Sequence, residues 1–529
     1  MINGFLMKKL LVLSLLFACL TGEAANKADS VVMTVAGKQV LLDEFVFMAR
    51  KNGEVNLSDR KSLESYVELY KNFKLKVAAA EAAGLDKTKE FTDELEGYRA
   101  QLTSSYLSDK DGEEAAVRAE YDRLRGVLEL SHILFRLPEK TVSKDTIAVY
   151  EKAMKAYERI KNGEDIAVVG QELTKLDSTK QTGYEYTRCL MPMQTIKAFE
   201  NYAYSMKPGE LSMPVRSTLG FHIIKLHSRK PNPGMRHVAH ILIPFQKDSV
   251  TRSDSETLAL AEDVYQKIQN GADFGKLAEE YSSDGASARK GGELPWFGVG
   301  EMVEPFERGA FALNTPGELS KPVKTRFGYH IIKLIEKRGI PSFEEKKKVW
   351  SRTMAQGERN FEYYKVFDER LKKEYGYVFY PEAYAELQAL CNDHFPTDKE
   401  FYEKAKDMDK TLIHLVDTDF PQSEFAYYIQ RCPFSTKTYA GDFMQEVFDL
   451  FVRDIVTTAE RKNLETKHPE FIHLMQEYRD GILLFNISNQ KVWSKPAAEQ
   501  SELENAWLKE LNKEYPVTIN WKLLKKLKK

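Results

Sequence analysis

Four cysteines in 529 residues, Cys19, Cys189, Cys391 and Cys432, are too few and too scattered for a disulfide framework. No CxxC and no Cys/His pairing at metal-ligand spacing occurs, so the residues call for no metal and no cofactor. Among the three beyond Cys19 at most one bridge can form, with one thiol left over. Long apolar runs are scarce as well. Apart from a short one near the start, nothing approaches the ~20 apolar residues of a membrane-spanning helix. Net charge is nearly absent, 77 Lys and Arg against 79 Asp and Glu, which removes any global electrostatic case for nucleic acid. The one local excess, Lys522, Lys525, Lys526, Lys528 and Lys529, reads as a solvated basic end rather than a lipid contact.

What is present is ordinary globular composition, 43% hydrophobic and 29% charged, spread over a chain long enough for three or four domains. Lys8 and Lys9, the apolar run Leu10–Leu20 and the small residues through Ala24 and Ala25 have the form of a secretory signal over residues 1–25. The mature chain is therefore expected in the periplasm. Two export products fit. Leu16-Phe17-Ala18-Cys19 has the shape of a lipobox, which makes Cys19 the lipidated first residue and attaches the protein to a membrane. Cleavage near Ala24 gives a soluble protein instead, and this reading fits slightly better.

Internal similarity is strong. Ser131-His132-Ile133-Leu134 returns as Ala239-His240-Ile241-Leu242. Leu219-Gly220-Phe221-His222-Ile223-Ile224-Lys225-Leu226 returns as Phe327-Gly328-Tyr329-His330-Ile331-Ile332-Lys333-Leu334. Each unit places its two histidines 90 positions apart, and Pro231-Asn232-Pro233-Gly234 joins the units. Aliphatic runs around the histidines read as strands, and Leu258-Ala261-Val264-Ile268 recurs at helical spacing up to Asn270-Gly271. The pattern strand, helix, helix, turn, short helix, strand makes each unit an α+β domain with a small antiparallel sheet. A second repeat surrounds the pair. Phe45, Phe91 and Tyr98 have counterparts Phe425, Phe471 and Tyr478, all at an offset of 380. The helices Ser62–Ala83 and Phe443–Lys462 fill the gaps only with small shifts.

The second unit resembles the parvulin, or PpiC-type, peptidyl-prolyl isomerases. The resemblance runs through His240, Tyr281-Ser282-Ser283-Asp284, Gly291-Gly292-Glu293-Leu294, Gly300-Glu301-Met302-Val303-Glu304-Pro305-Phe306 and Gly328-Tyr329-His330. It implies that His240, Asp284 and His330 form the catalytic group, with the imidazoles sharing a hydrogen bond and Asp284 facing the amide. It also implies a proline pocket of Leu294, Met302, Phe306 and Phe327, the last standing where many members carry a small polar residue. Outside this context each of these residues would pass as core packing or a turn.

The first unit keeps His132, His222 and Phe199 but has Thr195 for the methionine and Thr182–Cys189 for the glycine-rich stretch. Asp177 lies near the acidic position, in a shortened segment. This domain is expected to be degenerate. The whole order resembles SurA-type periplasmic chaperones. It implies a leader (1–25), a helical chaperone-like module (26–126), a degenerate parvulin domain (127–230), an active one (235–338) and a mainly helical C-terminal module (339–529) repeating the first at 411–485. The expected function is an exported isomerase and chaperone for unfolded or extended outer-membrane or secreted clients. A holdase or scaffold with vestigial isomerase sites is the alternative. The two chain ends are expected to share one core, with Val517-Ile519-Trp521 adding a strand beside Val31–Val35.

Overall fold

Val31–Val35 and Lys38–Leu41 form a hairpin because Val32, Val35 and Val40 put apolar side chains on its covered side. Ala36 and Gly37 both take positive φ, 50° and 79°, as a tight two-residue turn between twisted strands requires. The computed structural model describes residues 30–51, 55–247, 250–432 and 439–528. The leader and Cys19 lie outside these residues. Among the described residues no helix is long and apolar enough to cross a membrane.

The hairpin gains a third strand from the far end of the chain. Val517–Ile519 pairs antiparallel with it, Met33 opposite Ile519 and Val35 opposite Val517. Trp521 does not extend that strand; it opens the short helix Trp521–Leu524, with the Asn520 side chain capping its first turn. The core beneath is likewise drawn from both ends. Phe45, Leu63, Val67, Leu75 and Phe91 pack with Leu483, Ile487, Trp507 and Leu511. Burying each such side chain contributes roughly 1.5–3 kcal/mol, so neither end keeps its core without the other.

The 380-residue offset is tighter than the sequence match suggested. Val31–Val35, Lys38–Leu41 and Leu42–Lys51 correspond to Thr411–Leu415, Thr418–Pro421 and Gln422–Arg431. The helices Arg60–Ala82 and Ala440–Lys467 start at the same offset with no shift, as do Lys89–Tyr106 and Pro469–Ser488. The second hairpin also has a third strand, Val378–Phe379, which precedes it in the chain with helices Pro381–Leu390 and Lys399–Ala405 between them.

The two tandem domains are α+β, each with a small antiparallel sheet between helices. In the second, Met235–Pro244 lies against Gly328–Arg338, with Val323–Thr325 on the far side. Both sheet faces are covered, so the strands are apolar at nearly every position. Ala239, Ile241, Ile243 and Ile331 meet helices Asp254–Gln269 and Phe274–Tyr281. Val238, Ile332 and Leu334 meet helix Glu304–Ala312. Gly328, at φ 145°, is required: a Cβ there would sit 2.0 Å from the Ile243 carbonyl oxygen, and Gly220 repeats the geometry. The first domain departs from its expected outline, because Thr182–Leu190 forms a full strand along Gly126–Arg136 and makes a four-stranded sheet.

The chain divides into two compact units. One holds the chain through Ser108 together with Leu371–Gly376 and Arg453–Lys529; the other holds Asp109–Arg370 and Tyr377–Val452, including both tandem domains.

Candidate active site

Sheet register brings the two histidines of the second domain together. His240 pairs across the ladder with Ile332, and His330 pairs with Leu242. The two therefore project from one face as diagonal neighbours. Both are 5% exposed, their rings lie nearly parallel, and Nδ1 to Nδ1 is 3.2 Å. Asp284 caps the short helix Gly285–Ala288, which sets its Oδ2 2.9 Å from His240 Nε2 and 2.7 Å from Ser287 Oγ. On the other side Thr325 Oγ1 lies 2.9 Å from His330 Nε2 and accepts the Phe327 amide.

Donor and acceptor capacities assign the protons. Asp284, as a carboxylate, only accepts, so His240 donates from Nε2 and accepts at Nδ1. His330 then donates from Nδ1 and accepts the Thr325 hydroxyl at Nε2. Every bond in the row points the same way, and both rings are neutral. Electrostatics agree. Burial, with His240 alongside, pushes His330 down to about 3. Burial also lowers His240, and Asp284 only partly offsets it. For Asp284 burial opposes ionisation, but hydrogen bonds from Ser287 and His240 outweigh it and hold the carboxyl below its usual range. The result is a fixed negative charge, about a third exposed, at the end of a neutral row.

Phe306 stands on this row, edge-on to both His240 and His330 with ring centroids 5.5 and 5.1 Å away. Leu294 and Met302, both half-buried, pack into the same cluster. Phe297 joins it and was not anticipated. Phe327 stands apart, 47% exposed, with the Arg326 guanidinium over its ring. The glycine-rich stretch is pressed against the sheet: Gly292 accepts the His240 amide, and a Cβ on it would meet the His240 carbonyl oxygen at 2.5 Å.

Ser287, Thr325 and Glu307 were missed as well. The internal repeat held a signal for two of them, since Ser217 repeats the Thr325 hydroxyl and the dipeptide Phe199-Glu200 repeats Phe306-Glu307.

The first domain keeps half of this arrangement. Ser217 Oγ is 2.7 Å from His222 Nε2 and accepts the Leu219 amide. His132 and His222 are tilted by 54°, and both Nδ1 atoms are buried with no partner. Burial, with His132 adding to it, pushes His222 down to about 3. Asp177 is not beside them. Its carboxylate binds Thr179 and the Thr182 amide in an open turn, bonds that hold it down to about 2. The strand Thr182–Leu190 has taken the place of the acid-bearing segment.

Residues 132–228 and 225–338 each match a family model described as the PPIC-type PPIase domain. The chain thus carries two parvulin-type domains in tandem. Over 216 residues it is 36% identical to the Chaperone SurA of Chromohalobacter salexigens, covering 40% of this chain and 48% of that one. Over 265 residues it is 31% identical to the Chaperone SurA of Pseudomonas fluorescens, covering 49% and 59%. The chain spans about half the length of these curated relatives, and its tandem arrangement is SurA-like. A peptidylprolyl isomerase (PrsA) structure from Bacillus cereus is 38% identical, covers 26% of this chain and 50% of its own, and has a TM-score of 0.18.

Proposed function

We propose that this protein is an exported peptidyl-prolyl cis-trans isomerase and chaperone, with turnover in the second domain. The observation that carries the reading is the row Asp284–His240–His330–Thr325, complete and uniformly oriented, directly under the cluster of Leu294, Met302 and Phe306.

Rotation about X–Pro is slow because amide resonance sets a barrier of ~18–20 kcal/mol. No bond is made or broken, so the site needs shape and charge only. The apolar cluster takes the proline ring. The planar amide holds partial negative charge on its carbonyl oxygen, and twisting returns that density to nitrogen. A fixed carboxylate beside the carbonyl therefore penalises the planar form more than the twisted one. Each 1.36 kcal/mol of such discrimination accelerates rotation tenfold. The neutral histidines keep the carboxylate in place and add no competing charge.

The clients in this reading are unfolded or extended outer-membrane or secreted chains in the periplasm. The unit built from the chain ends offers them a cleft of about 750 Å³ lined by Met48, Leu69, Phe73, Tyr98, Tyr478 and Phe485. Leu69 and Phe485 are more than half exposed, as an apolar binding surface requires. The same cleft supports the second reading, a holdase with vestigial isomerase sites. Asp284→Ala in the full chain separates them. Isomerisation of short proline peptides should fall at least about tenfold while suppression of client aggregation persists. Turnover equal to wild type would remove Asp284 from the mechanism; no turnover in wild type would favour the holdase.

A further inference from the structure

Glu307 follows Phe306 directly, and its carboxylate is nearly inaccessible at 3% exposure. Oε2 accepts the Gly300 amide at 2.7 Å and the Met302 amide at 3.4 Å. The turn that presents Met302 to the proline cluster is therefore held by this one carboxylate. The cation that neutralises it comes from the other domain: Arg188 Nη1 lies 2.6 Å from Glu307 Oε1. Arg188 belongs to Thr182–Leu190, the strand that replaced the acid-bearing segment of the first domain. Its neighbour Cys189 backs the same turn, where a Cβ on Gly300 would meet the Cys189 Cβ at 3.2 Å.

The first domain carries the same device with a different partner. Glu200 is fully buried and accepts the Met193 and Thr195 amides at 3.0 and 3.4 Å. Its cation is Arg359, 2.8 Å away, from the helical segment beyond the second domain. In both domains the glutamate that orders the turn is paired from outside its own fold. A buried carboxylate that loses its partner keeps the desolvation penalty, so it must take up a proton or move. Either response disturbs the turn.

We propose that the first parvulin-type domain serves the second as a positioning subunit, with Arg188 setting Met302 in the proline cluster through Glu307. This rests on the isomerase reading above. It gives the domain with the broken histidine row a role in turnover: the strand that ended its own site steadies its neighbour's.

The test uses the full chain with three variants, R188M, R188K and R188M/E307Q. Glutamine still accepts both amides but needs no cation. R188M should lower kcat/KM for short proline peptides about tenfold, mainly through KM, and both R188K and R188M/E307Q should recover most of the loss. The 13C-methyl signal of Met302 should shift in R188M and return in the double variant, a readout that does not depend on turnover. If R188M fails to fold, the methyl signal and kcat/KM of R188K and the double variant still decide, since the proposal requires both to stay near wild type. R188M with wild-type KM and an unmoved Met302 signal would overturn the proposal, as would a loss that E307Q does not rescue. Wild-type protein without turnover, or turnover indifferent to Asp284→Ala, would instead sink the isomerase reading and leave positioning to the methyl signal.

Discussion

Tyr98 and Tyr478 pack against each other with ring centroids 4.6 Å apart and planes tilted by 31°, and each is the other's counterpart in the 380-residue repeat. A residue touches its own equivalent where it lies beside the axis relating the two copies. Nearby, Arg99 reaches Glu465, while its counterpart Arg479 reaches Glu81 and lies 3.8 Å from Asp86. Helices Lys89–Tyr106 and Pro469–Ser488 thus meet at this pair of equivalent tyrosines.

That shared core gives the first prediction. A chain ending at Gly339 lacks Leu483, Ile487, Trp507 and Leu511 and the strand opposite Met33 and Val35. Amide exchange in Val31–Val35 should lose its protection, and suppression of β-barrel client aggregation should fail. A chain lacking both parvulin-type domains, with the ends rejoined, should retain suppression. Full suppression by the truncated chain would refute the shared core.

Met302 and His330 should separate turnover from stability. Met302→Ala removes a half-buried group from the cluster and should lower turnover with little change in denaturant midpoint. His330→Ala takes one buried hydrogen-bond partner from Thr325 and the only one from His240 Nδ1, a loss of about 2–3 kcal/mol in addition to rate. An unchanged urea midpoint for His330→Ala would disprove its structural role.

Acid should destabilise the parvulin-type domains before it alters the row's protonation. Burial holds His330 and His222 near 3, whereas an unfolded histidine titrates near 6.5. Between those values the unfolded chain binds the proton and the native one does not. Stability is then full above about 6.5 and falls toward pH 3 by about 1.4 kcal/mol per pH unit for each histidine. Urea melts at pH 7.5, 5.5 and 4.5 measure this, and stability that rises on acidification would contradict the neutral assignment.

Cys19→Ser distinguishes the export products. Wild-type protein should fractionate with the soluble periplasm and be unaffected by the substitution. Partition into detergent with membranes, abolished by Cys19→Ser, would establish the lipidated form instead.

The sequence was most legible where chemistry and repetition coincide. His240, Asp284, His330, Leu294, Met302 and Phe306 were nominated from motif, and the structure brings all six together. Phe327 was placed with them because the resemblance sets it at a position where many members carry a small polar residue, yet a turn residue one step before a strand can face solvent. Val517–Ile519 was readable from its alternation; Val378–Phe379, two residues long, gave no period to read. Thr182–Leu190 carries strand-forming Tyr184, Tyr186 and Thr187, but comparison with the second domain cast it only as a missing glycine loop. The pairing of Arg188 with Glu307 was out of reach, since two residues 119 positions apart in different domains leave no local pattern.

The strand pairing of Val517–Ile519 with Val31–Val35 also fixes an order of events. Asn520 donates to the Val31 carbonyl across 489 positions. As the chain emerges from N- to C-terminus, both parvulin-type domains and the cations Arg188 and Arg359 that pair with their buried glutamates are complete long before the first hairpin meets its third strand. Until then Val31–Val35 presents a bare backbone edge and half a core, the state most open to mispairing. Closing so distant a contact is the slow part of maturation. On the proposed reading, a protein that shelters unfinished chains is itself unfinished until this last strand pairs.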